Sequence, residues 1–267
     1  MLTRIALLAL FVTPAFLIVR ADDKQPEAIA PKEVVKLFNG KDFTGLYTWL
    51  KKTQREDPNK VFSVVDGAIR ASGDDNGYIA TDKAYRDYHL IVEYKWGKKP
   101  EKEKYVRNSG ILLHGTGPDG GAGGTWMSTF ECQLAQGCNG DIIIIRGKDA
   151  KMTMTAAVET APDGKRVRWK QGGEAKVWPP TTRQLWWNKH DWDFKELIDT
   201  RGKDDVESPL GEWTKVECIC AGARITIKVN GQTVNECYDA APAAGKILLQ
   251  SEGFEILFRT FELHPLK

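Results

Sequence analysis

The residues best suited to chemistry lie in a short stretch of alternating polarity in the middle of the chain. Across residues 128–134, apolar side chains alternate with Glu131 and Gln133. Because successive side chains of a β-strand point to opposite faces, the pattern predicts a strand with its apolar side on the core and Glu131 and Gln133 on the other face. A carboxylate beside an amide can hold sugar hydroxyls or transfer a proton. This face is therefore a candidate site.

Two other stretches carry polar residues at even spacing. Asn108 and His114 share a face around the strand predicted at 110–114, and Gln250 and Glu252 share a face at the end of the strand predicted at 246–250. Glu131 and His114 are the candidate catalytic residues. The candidates for substrate contact are Asn108, Gln133, Gln250, Glu252, Trp126 and Asp141.

Each candidate also has a simpler interpretation. A single glutamate on a strand is most often a solvated residue of an outer face, since carboxylates are mostly exposed. His114 precedes the glycine-rich segment 115–121 and could be an ordinary histidine at a loop edge. The chain has no His-Glu-x-x-His, Gly-x-Ser-x-Gly or phosphate-loop motif, and its four histidines are too scattered for a zinc motif. The common hydrolase motifs are thus excluded.

The elements that must position these residues are predicted to be strands. Residues 88–96 alternate between apolar and polar, and Asp66-Gly67 and Asn230-Gly231 are typical two-residue hairpin turns. Many short strands with little helical periodicity indicate an all-β fold, a β-sandwich or jelly roll. Further strands are predicted at residues 34–38, 110–114, 128–134, 141–146, 213–220, 246–250 and 255–261.

Residues 151–210 depart from this pattern. They are rich in charge and tryptophan, and we interpret them as a long excursion or lid on the sandwich, without a strand pattern of its own and with at most a short helix at 195–198. The tryptophans either pack over an edge of the sandwich or stack on sugar rings. A sandwich with one polar sheet face and nearby aromatic residues would suit a carbohydrate groove.

The five cysteines leave two interpretations open. Cys132 and Cys138 flank a predicted turn and could be bridged, whereas Cys218 and Cys220 share one strand face and make poor partners for each other. Burial of the thiols as small apolar side chains is at least as good an interpretation as any disulfide.

The first residues of the chain have the pattern of a secretory signal. Arg4 precedes an apolar stretch at 5–19, and small residues at Val19 and Ala21 predict cleavage after Ala21. We therefore expect a signal peptide at 1–21, a linker at 22–33 and one domain at 34–267, with a periplasmic or extracellular location.

The net charge and the hydropathy of the chain limit the kinds of partner that we expect, in particular nucleic acid and membrane. Removing residues 1–21 takes two of the 38 basic residues and none of the 36 acidic ones, so the mature chain is formally neutral. A neutral chain gives no reason to expect a nucleic-acid partner. No second stretch is long and apolar enough for a membrane anchor after cleavage.

At these same segments the chain resembles the family of 3-keto-disaccharide hydrolase domains. The resemblance extends from about residue 34 to residue 266, and its order and spacing are more specific than any one motif. The segments that carry it are LFNGKDF at 37–43, NSGILL at 108–113, FECQ at 130–133, GEWT at 211–214, VNG at 229–231, GKILLQ at 245–250 and FR at 258–259.

The resemblance implies a concanavalin A-like jelly roll with its ligand groove on one curved sheet, and cleavage of glycosides whose sugar is oxidised at C3. The 3-keto group acidifies the C2 hydrogen, so a base can start β-elimination of the glycosidic oxygen. On this view Glu131 or His114 is the base, and Gln133, Asn108 and Gln250 hold hydroxyls or the enolate. Glu252 assists or binds a cation. A divalent ion, with Glu131, His114 or Asp141 as ligands, is a possible cofactor.

Two other classes of function fit the same residues. A non-catalytic glycan-binding module would share the fold and the aromatic residues, and an envelope scaffold would need neither binding nor turnover. The missing Glu-x-Asp-x-Glu strand argues against ordinary retaining glucanases, which need two carboxylates about 5–5.5 Å apart. The expected ligand is an uncharged carbohydrate, and the oligomeric state stays open.

Overall fold

The computed structural model describes residues 27–98, 106–148, 150–178 and 183–267. The predicted signal peptide lies outside these residues. The described strands are β1 (Val35–Lys36), β2 (Leu46–Leu50), β3 (Phe62–Val65), β4 (Ala68–Ala71), β5 (Gly77–Thr81), β6 (Tyr88–Trp96), β7 (Gly110–Thr116), β8 (Ser128–Gln133), β9 (Ile142–Ile145), β10 (Thr153–Thr160), β11 (Val167–Trp169), β12 (Glu174–Trp178), β13 (Gln184–Leu185), β14 (Thr214–Ala221), β15 (Arg224–Val229), β16 (Gln232–Ala241), β17 (Lys246–Ser251) and β18 (Ile256–Pro265).

The strands form two antiparallel sheets, and the predicted all-β sandwich is confirmed. The large sheet has the order β11-β10-β16-β15-β14-β6-β18-β4-β3, with β1 added beside β18 and β12 beside β10. The small sheet has the order β13-β9-β8-β7-β17-β5-β2. Neighbours such as β7 and β17 are far apart in sequence, so long-range pairing brings the candidate residues together.

One hydrophobic core fills the space between the sheets. Leu90 and Val216 of the large sheet belong to the same buried cluster as Ile111, Phe130 and Cys132 of the small sheet. Strand β6 is buried at every second residue, as its sequence predicts. Burial of this apolar surface is the main favourable contribution to folding.

Both predicted hairpin turns are present. Asp66 and Gly67 have φ angles of 50° and 75°, and Asn230 and Gly231 have 47° and 80°. Positive φ at both central residues is the requirement of a type I′ turn, whose twist matches that of the flanking strands. The local sequence is therefore sufficient to determine how the two strands of each hairpin pair next to the turn.

The outer face of the small sheet, which points away from the large sheet, is partly covered by the β7–β8 loop. Ala122 and Met127 of this loop share a second buried cluster with Leu112 and Leu248 of the sheet. The Asp119 carboxylate fastens the loop by accepting hydrogen bonds from the hydroxyl groups of Tyr47 and Tyr78, at 2.8 and 2.6 Å. The glycine-rich segment is thus a cover over one part of the face that carries Glu131.

The expectation that residues 151–210 have no strand pattern is wrong. Strands β10, β11 and β12 extend the large sheet, and β13 extends the small one. Strand β10 has a clear alternation, but its buried positions include small Ala156, whose low hydrophobicity conceals the pattern. Trp178 and Trp187 are fully buried and fill the main core. The segment belongs to the sandwich itself.

Two smaller expectations, on the cysteines and on a short helix, have definite outcomes in the described residues. All five cysteines are buried and unpaired, so the proposed Cys132–Cys138 bridge is absent and the packing interpretation is confirmed. Residues 195–198 form no helix. Within the predicted linker, Ile29 pairs with the segment before β6, donating to Ala84 O at 2.9 Å.

Candidate functional site

Glu131 and Gln250 meet over Gly110 on the outer face of the small sheet. Gly110 lies on β7 between β8 and β17, the strands that carry these two side chains. A methyl group at Gly110 would come within 2.5 Å of Glu131 Oε1 and 2.6 Å of Gln250 Oε1, and the Gln250 amide lowers the pKa of the Glu131 carboxyl. A glycine is needed here because the space above its Cα is taken by the two polar groups.

Glu252 adds a second carboxyl group to this place. It follows β17 two residues after Gln250, so alternation puts it on the same face. Burial raises the pKa of Glu131 to about 8, and the negative charge of Glu252 contributes in the same direction. Burial also raises the pKa of Glu252, to about 7. Two interacting carboxyls titrate as a pair, so the pair holds one proton near neutral pH.

Arg183 supplies the positive charge of the site, and no sequence pattern had pointed to this residue. Its charge lowers the pKa of both Glu131 and Glu252, opposing their burial. The Arg183 carbonyl accepts a hydrogen bond from Ile144 N at 3.0 Å, which fixes the residue beside β9. This pairing joins residues about forty positions apart, and no local pattern could have shown it.

Gln133 and Asn108 lie at the edge of the same group. Gln133 is the cross-strand partner of Gly110, so it is directly beside the carboxyl pair. Asn108 is buried and lies two residues before Gly110. Ser109, between them, donates from Oγ to Gln250 O at 3.1 Å and ties this segment to β17. The structure therefore brings five of the sequence candidates together: Glu131, Gln133, Gln250, Glu252 and Asn108.

Trp126 lies farther along the same face. It packs, half-buried, against the cluster that contains Leu112 and Leu248. Leu112 is the cross-strand neighbour of Glu131. The half-buried indole therefore lies on the same outer face as the Glu131 carboxyl group.

His114 is not part of this group, and the expectation that it shares a face with Asn108 is wrong. The β7–β8 pairing shifts register after Leu113, and His114 itself has a φ of 54°. One irregular residue reverses the direction of the side chains that follow. The His114 ring consequently enters the core between the sheets, edge-on to Tyr88 and Phe130 at 5.9 and 6.3 Å.

The surroundings of His114 explain why it stays neutral. Its Nδ1 donates to Pro242 O at 3.0 Å, and burial lowers its pKa to about 4. Gly245 packs directly against the backbone of His114, so the kink is held in place from the neighbouring strand. The histidine stabilises a bend in the sheet and does not reach the carboxyl pair.

Asp141 is fully buried just before β9 and has partners of its own. It accepts hydrogen bonds from Trp187 N at 2.6 Å and Gln184 Nε2 at 2.7 Å, and His190 Nδ1 lies 3.1 Å away. Asp141 is close enough for its charge to raise the pKa of Glu131 slightly. Its carbonyl also accepts a hydrogen bond from Gln133 N at 2.9 Å, so Asp141 lies beside the end of β8, and the side-chain partners given above are all groups of the protein.

A separate cavity of about 410 Å³ opens between the β7–β8 loop and residues 147–152. Ser128 and Pro242 are among its lining residues, and none of the residues grouped at Gly110 is. The carboxyl pair and its arginine, the groups with reactive potential, are thus elsewhere on the small sheet.

A family model for the 3-keto-alpha-glucoside-1,2-lyase-like domain matches residues 33–264. The chain belongs to this family. The match includes every residue grouped at Gly110 and every strand described above, apart from Pro265 at the end of β18. The resemblance inferred from the sequence is thereby confirmed, and the chain is a 3-keto-disaccharide hydrolase-type domain.

Solved structures agree on the fold of this family member. A proposed glycosyl hydrolase from Parabacteroides distasonis ATCC 8503 is 18% identical, with 88% of this chain and 94% of that chain covered and a TM-score of 0.51. A β-glucanase from Bacillus licheniformis is 13% identical, with 87% and 97% covered and a TM-score of 0.42. The two antiparallel sheets around one core are themselves the jelly-roll β-sandwich that was expected. No curated protein matches the chain.

Proposed function

We propose that this domain cleaves the glycosidic bond of 3-keto-glycosides by removing the C2 proton and eliminating the C1 oxygen. The observation that carries the proposal is the pair Glu131 and Glu252, two enclosed carboxyls with raised pKa values of about 8 and 7 beside one arginine. Groups with pKa values near the working pH are the most effective acids and bases. The family name supports the elimination, since a 1,2-lyase forms a double bond between C1 and C2.

The 3-keto group makes this chemistry possible with few protein groups. A ketone at C3 acidifies the hydrogen on C2, so a carboxylate can take that proton and leave the electron pair as an enolate. The enolate then forms the C1–C2 double bond and expels the glycosidic oxygen, which needs a proton to leave as an alcohol. Addition of water across the double bond would complete a net hydrolysis.

The pKa values of the two carboxyls indicate which one acts as the base and which one as the acid. Since the ionised Glu252 contributes to the raised pKa of Glu131, the first proton of the pair is lost mainly from Glu252. Glu252 is then the base at C2, and Glu131 is the proton donor to the leaving oxygen. This reverses the base role that the sequence suggested for Glu131.

Arg183 and the amides have supporting tasks. The Arg183 guanidinium, whose charge acts on both carboxyls, is the group that stabilises the enolate oxygen. Gln250, Gln133 and Asn108 hold the sugar hydroxyls, and Trp126 offers an apolar surface to the adjoining ring.

The carboxyl pair also favours catalysis over simple glycan binding. Burying an ionisable group costs free energy, and a module that only binds uncharged sugar has no use for two such groups. Hydrogen bonds from amides would suffice for it. A binding module would retain affinity after neutralisation of the pair, and it would form no product.

The test is turnover of a chromogenic 3-keto-glucoside by the wild type and by Glu131→Gln and Glu252→Gln. Each change keeps size and removes the proton-transfer group, so kcat/KM is expected to fall about 10²–10⁴-fold. Glu56→Gln, at an exposed position, is the matched control and should turn over like the wild type. Wild-type turnover by either site variant would overturn the assignment, and saturable binding without product in the wild type would favour the glycan-binding module.

We propose in addition that the protein is exported. Support comes from the charged start, apolar stretch and small residues of the segment 1–21. N-terminal sequencing of the protein recovered from its cells should give Asp22 as the first residue. Recovery of the chain with Met1 retained would contradict export by cleavage.

A further inference from the structure

A second cluster of reactive side chains lies at the β8–β9 turn. Cys138, Asp141 and His190 are buried, with at most 3% of each residue exposed. Their ligand atoms lie within 4.8 Å of one another. Cys138 Sγ is 3.9 Å from His190 Nε2, and His190 Nδ1 is 3.1 Å from Asp141 Oδ2. A thiol, an imidazole and a carboxylate thus converge in a place closed to solvent.

Local structure holds the three groups in position. Cys138 and Asp141 belong to one tight turn between β8 and β9, closed by a hydrogen bond from Asp141 N to Cys138 O at 3.0 Å. The His190 ring is stacked on Trp186 at 3.7 Å with an interplanar angle of 12°. The edge of Phe194 meets the same ring. The imidazole therefore cannot turn away from the turn that carries the thiol and the carboxylate.

The cluster has an excess of groups that favour a cation. The Asp141 carboxylate is fully buried, and apart from His190 its hydrogen-bond partners are the neutral Trp187 N and Gln184 Nε2. A buried carboxylate is costly unless a positive charge or hydrogen bonds compensate it. The Cys138 thiol lies in the same enclosed place. A cation bound by the thiol and the carboxylate would compensate the buried negative charge.

We propose that Cys138, Asp141 and His190 form a binding site for a borderline-soft divalent metal ion, with Zn²⁺ as the preferred ion. The site offers sulfur, nitrogen and oxygen, the three ligand types that zinc accepts in proteins. Zinc lies about 2.3 Å from sulfur and about 2.0–2.1 Å from nitrogen or oxygen, so ligands of one ion are at most about 4.4 Å apart. Cys138 Sγ is 3.9 Å from His190 Nε2, whereas Asp141 Oδ2 is 3.1 Å from the other ring nitrogen, Nδ1. One ion takes only one of these two nitrogens. The three ligand atoms lie within 4.8 Å of one another, so the side chains would draw together slightly around the ion.

The ion would join the β8–β9 turn to the chain beyond β13. Asp141 O accepts a hydrogen bond from Gln133 N at 2.9 Å, so the metal would also stiffen the strand end that carries Gln133. This role is structural, and it does not depend on the chemistry proposed at Glu131 and Glu252.

Cobalt titration tests the site directly, because Co²⁺ replaces Zn²⁺ and a thiolate ligand gives an intense charge-transfer band in the near ultraviolet. The full-length protein, reduced and treated with chelator, should bind one equivalent of Co²⁺ with this band, and Zn²⁺ should abolish it. Cys138→Ser should lose the band. Cys237→Ser, at another buried unpaired cysteine, should keep it as the matched control.

Thermal unfolding keeps the test decisive if Cys138→Ser folds poorly. Zn²⁺ should raise the Tm of the wild type and of Cys237→Ser, since an ion bound only by the native state stabilises it. It should leave the Tm of His190→Gln unchanged. Absence of a charge-transfer band in the wild type, or the same band in Cys138→Ser, would overturn the proposal whatever the outcome of the 3-keto-glucoside assay.

Discussion

Replacing Glu131 by glutamine should make the protein more stable while removing its proposed activity. Glu131 is 4% exposed, and its pKa is raised from 4.5 to about 8, chiefly by burial. Between these two values the native state binds more protons than the unfolded state. Stability must therefore fall as pH rises through this window. Glutamine keeps the shape of the side chain and has no proton to lose, so the variant escapes this penalty.

The magnitude follows from the shift. One pKa unit corresponds to about 1.36 kcal/mol. Integrated over the titration, a rise from 4.5 to about 8 costs the wild type about 1 kcal/mol at about pH 5 and about 4 kcal/mol at about pH 8. The advantage of Glu131→Gln should thus grow by about 3 kcal/mol between these two conditions.

Urea unfolding of both proteins at the two pH values measures this difference. The free energies of unfolding are compared by linear extrapolation, with Glu56→Gln as an exposed control that should follow the wild type. An advantage that is the same at both pH values would mean that Glu131 is ionised throughout, and the account of an enclosed carboxyl pair would be refuted.

Three other changes test separate parts of the site. Arg183→Gln should raise the pKa values of both glutamates and so shift the pH profile of kcat/KM to higher pH. The control Arg146→Gln, at the exposed residue that follows β9, should leave this profile unchanged. Gly110→Ala should lower kcat/KM about 10²-fold by displacing the two groups above it, while Gly202→Ala, where a methyl group meets nothing closer than 3.9 Å, should have no such effect. His114→Asn should lower the free energy of unfolding in urea by about 1–3 kcal/mol, because packing and a hydrogen bond are lost. The pH profile of kcat/KM should not change. A changed profile would mean that His114 takes part in the reaction.

The sequence predicted what local patterns determine. The Asp66-Gly67 and Asn230-Gly231 hairpins and the alternation of β6 depend on residues close together in the chain, and all three are present. The prediction that Glu131 lies on the face opposite the core is also confirmed, because β8 is regular from Ser128 to Gln133. Phe130 and Cys132 point into the core, as that alternation requires.

The failures have a common cause in interactions between distant residues. His114 interrupts the regular geometry of β7 and points its side chain to the opposite face from the one a regular strand would give. Gly245, just before β17, packs against the His114 backbone and holds this irregularity in place. Arg183 reaches the site only because β13 pairs with β9. Cys138 and His190 lie 52 residues apart, so their approach is a property of the fold and not of any local motif.

The central claim is that the carboxyl pair removes a proton from C2 of a 3-keto sugar, and an isotope effect tests it most directly. A 3-keto-glucoside carrying deuterium at C2 should be cleaved severalfold more slowly by the wild type than its hydrogen counterpart. The product should lose the deuterium to solvent, and Glu252→Gln should release aglycone from both substrates about 10²–10⁴-fold more slowly than the wild type. Equal rates with deuterium retained at C2 would show that the C1–O bond breaks without C2 deprotonation and would contradict the mechanism.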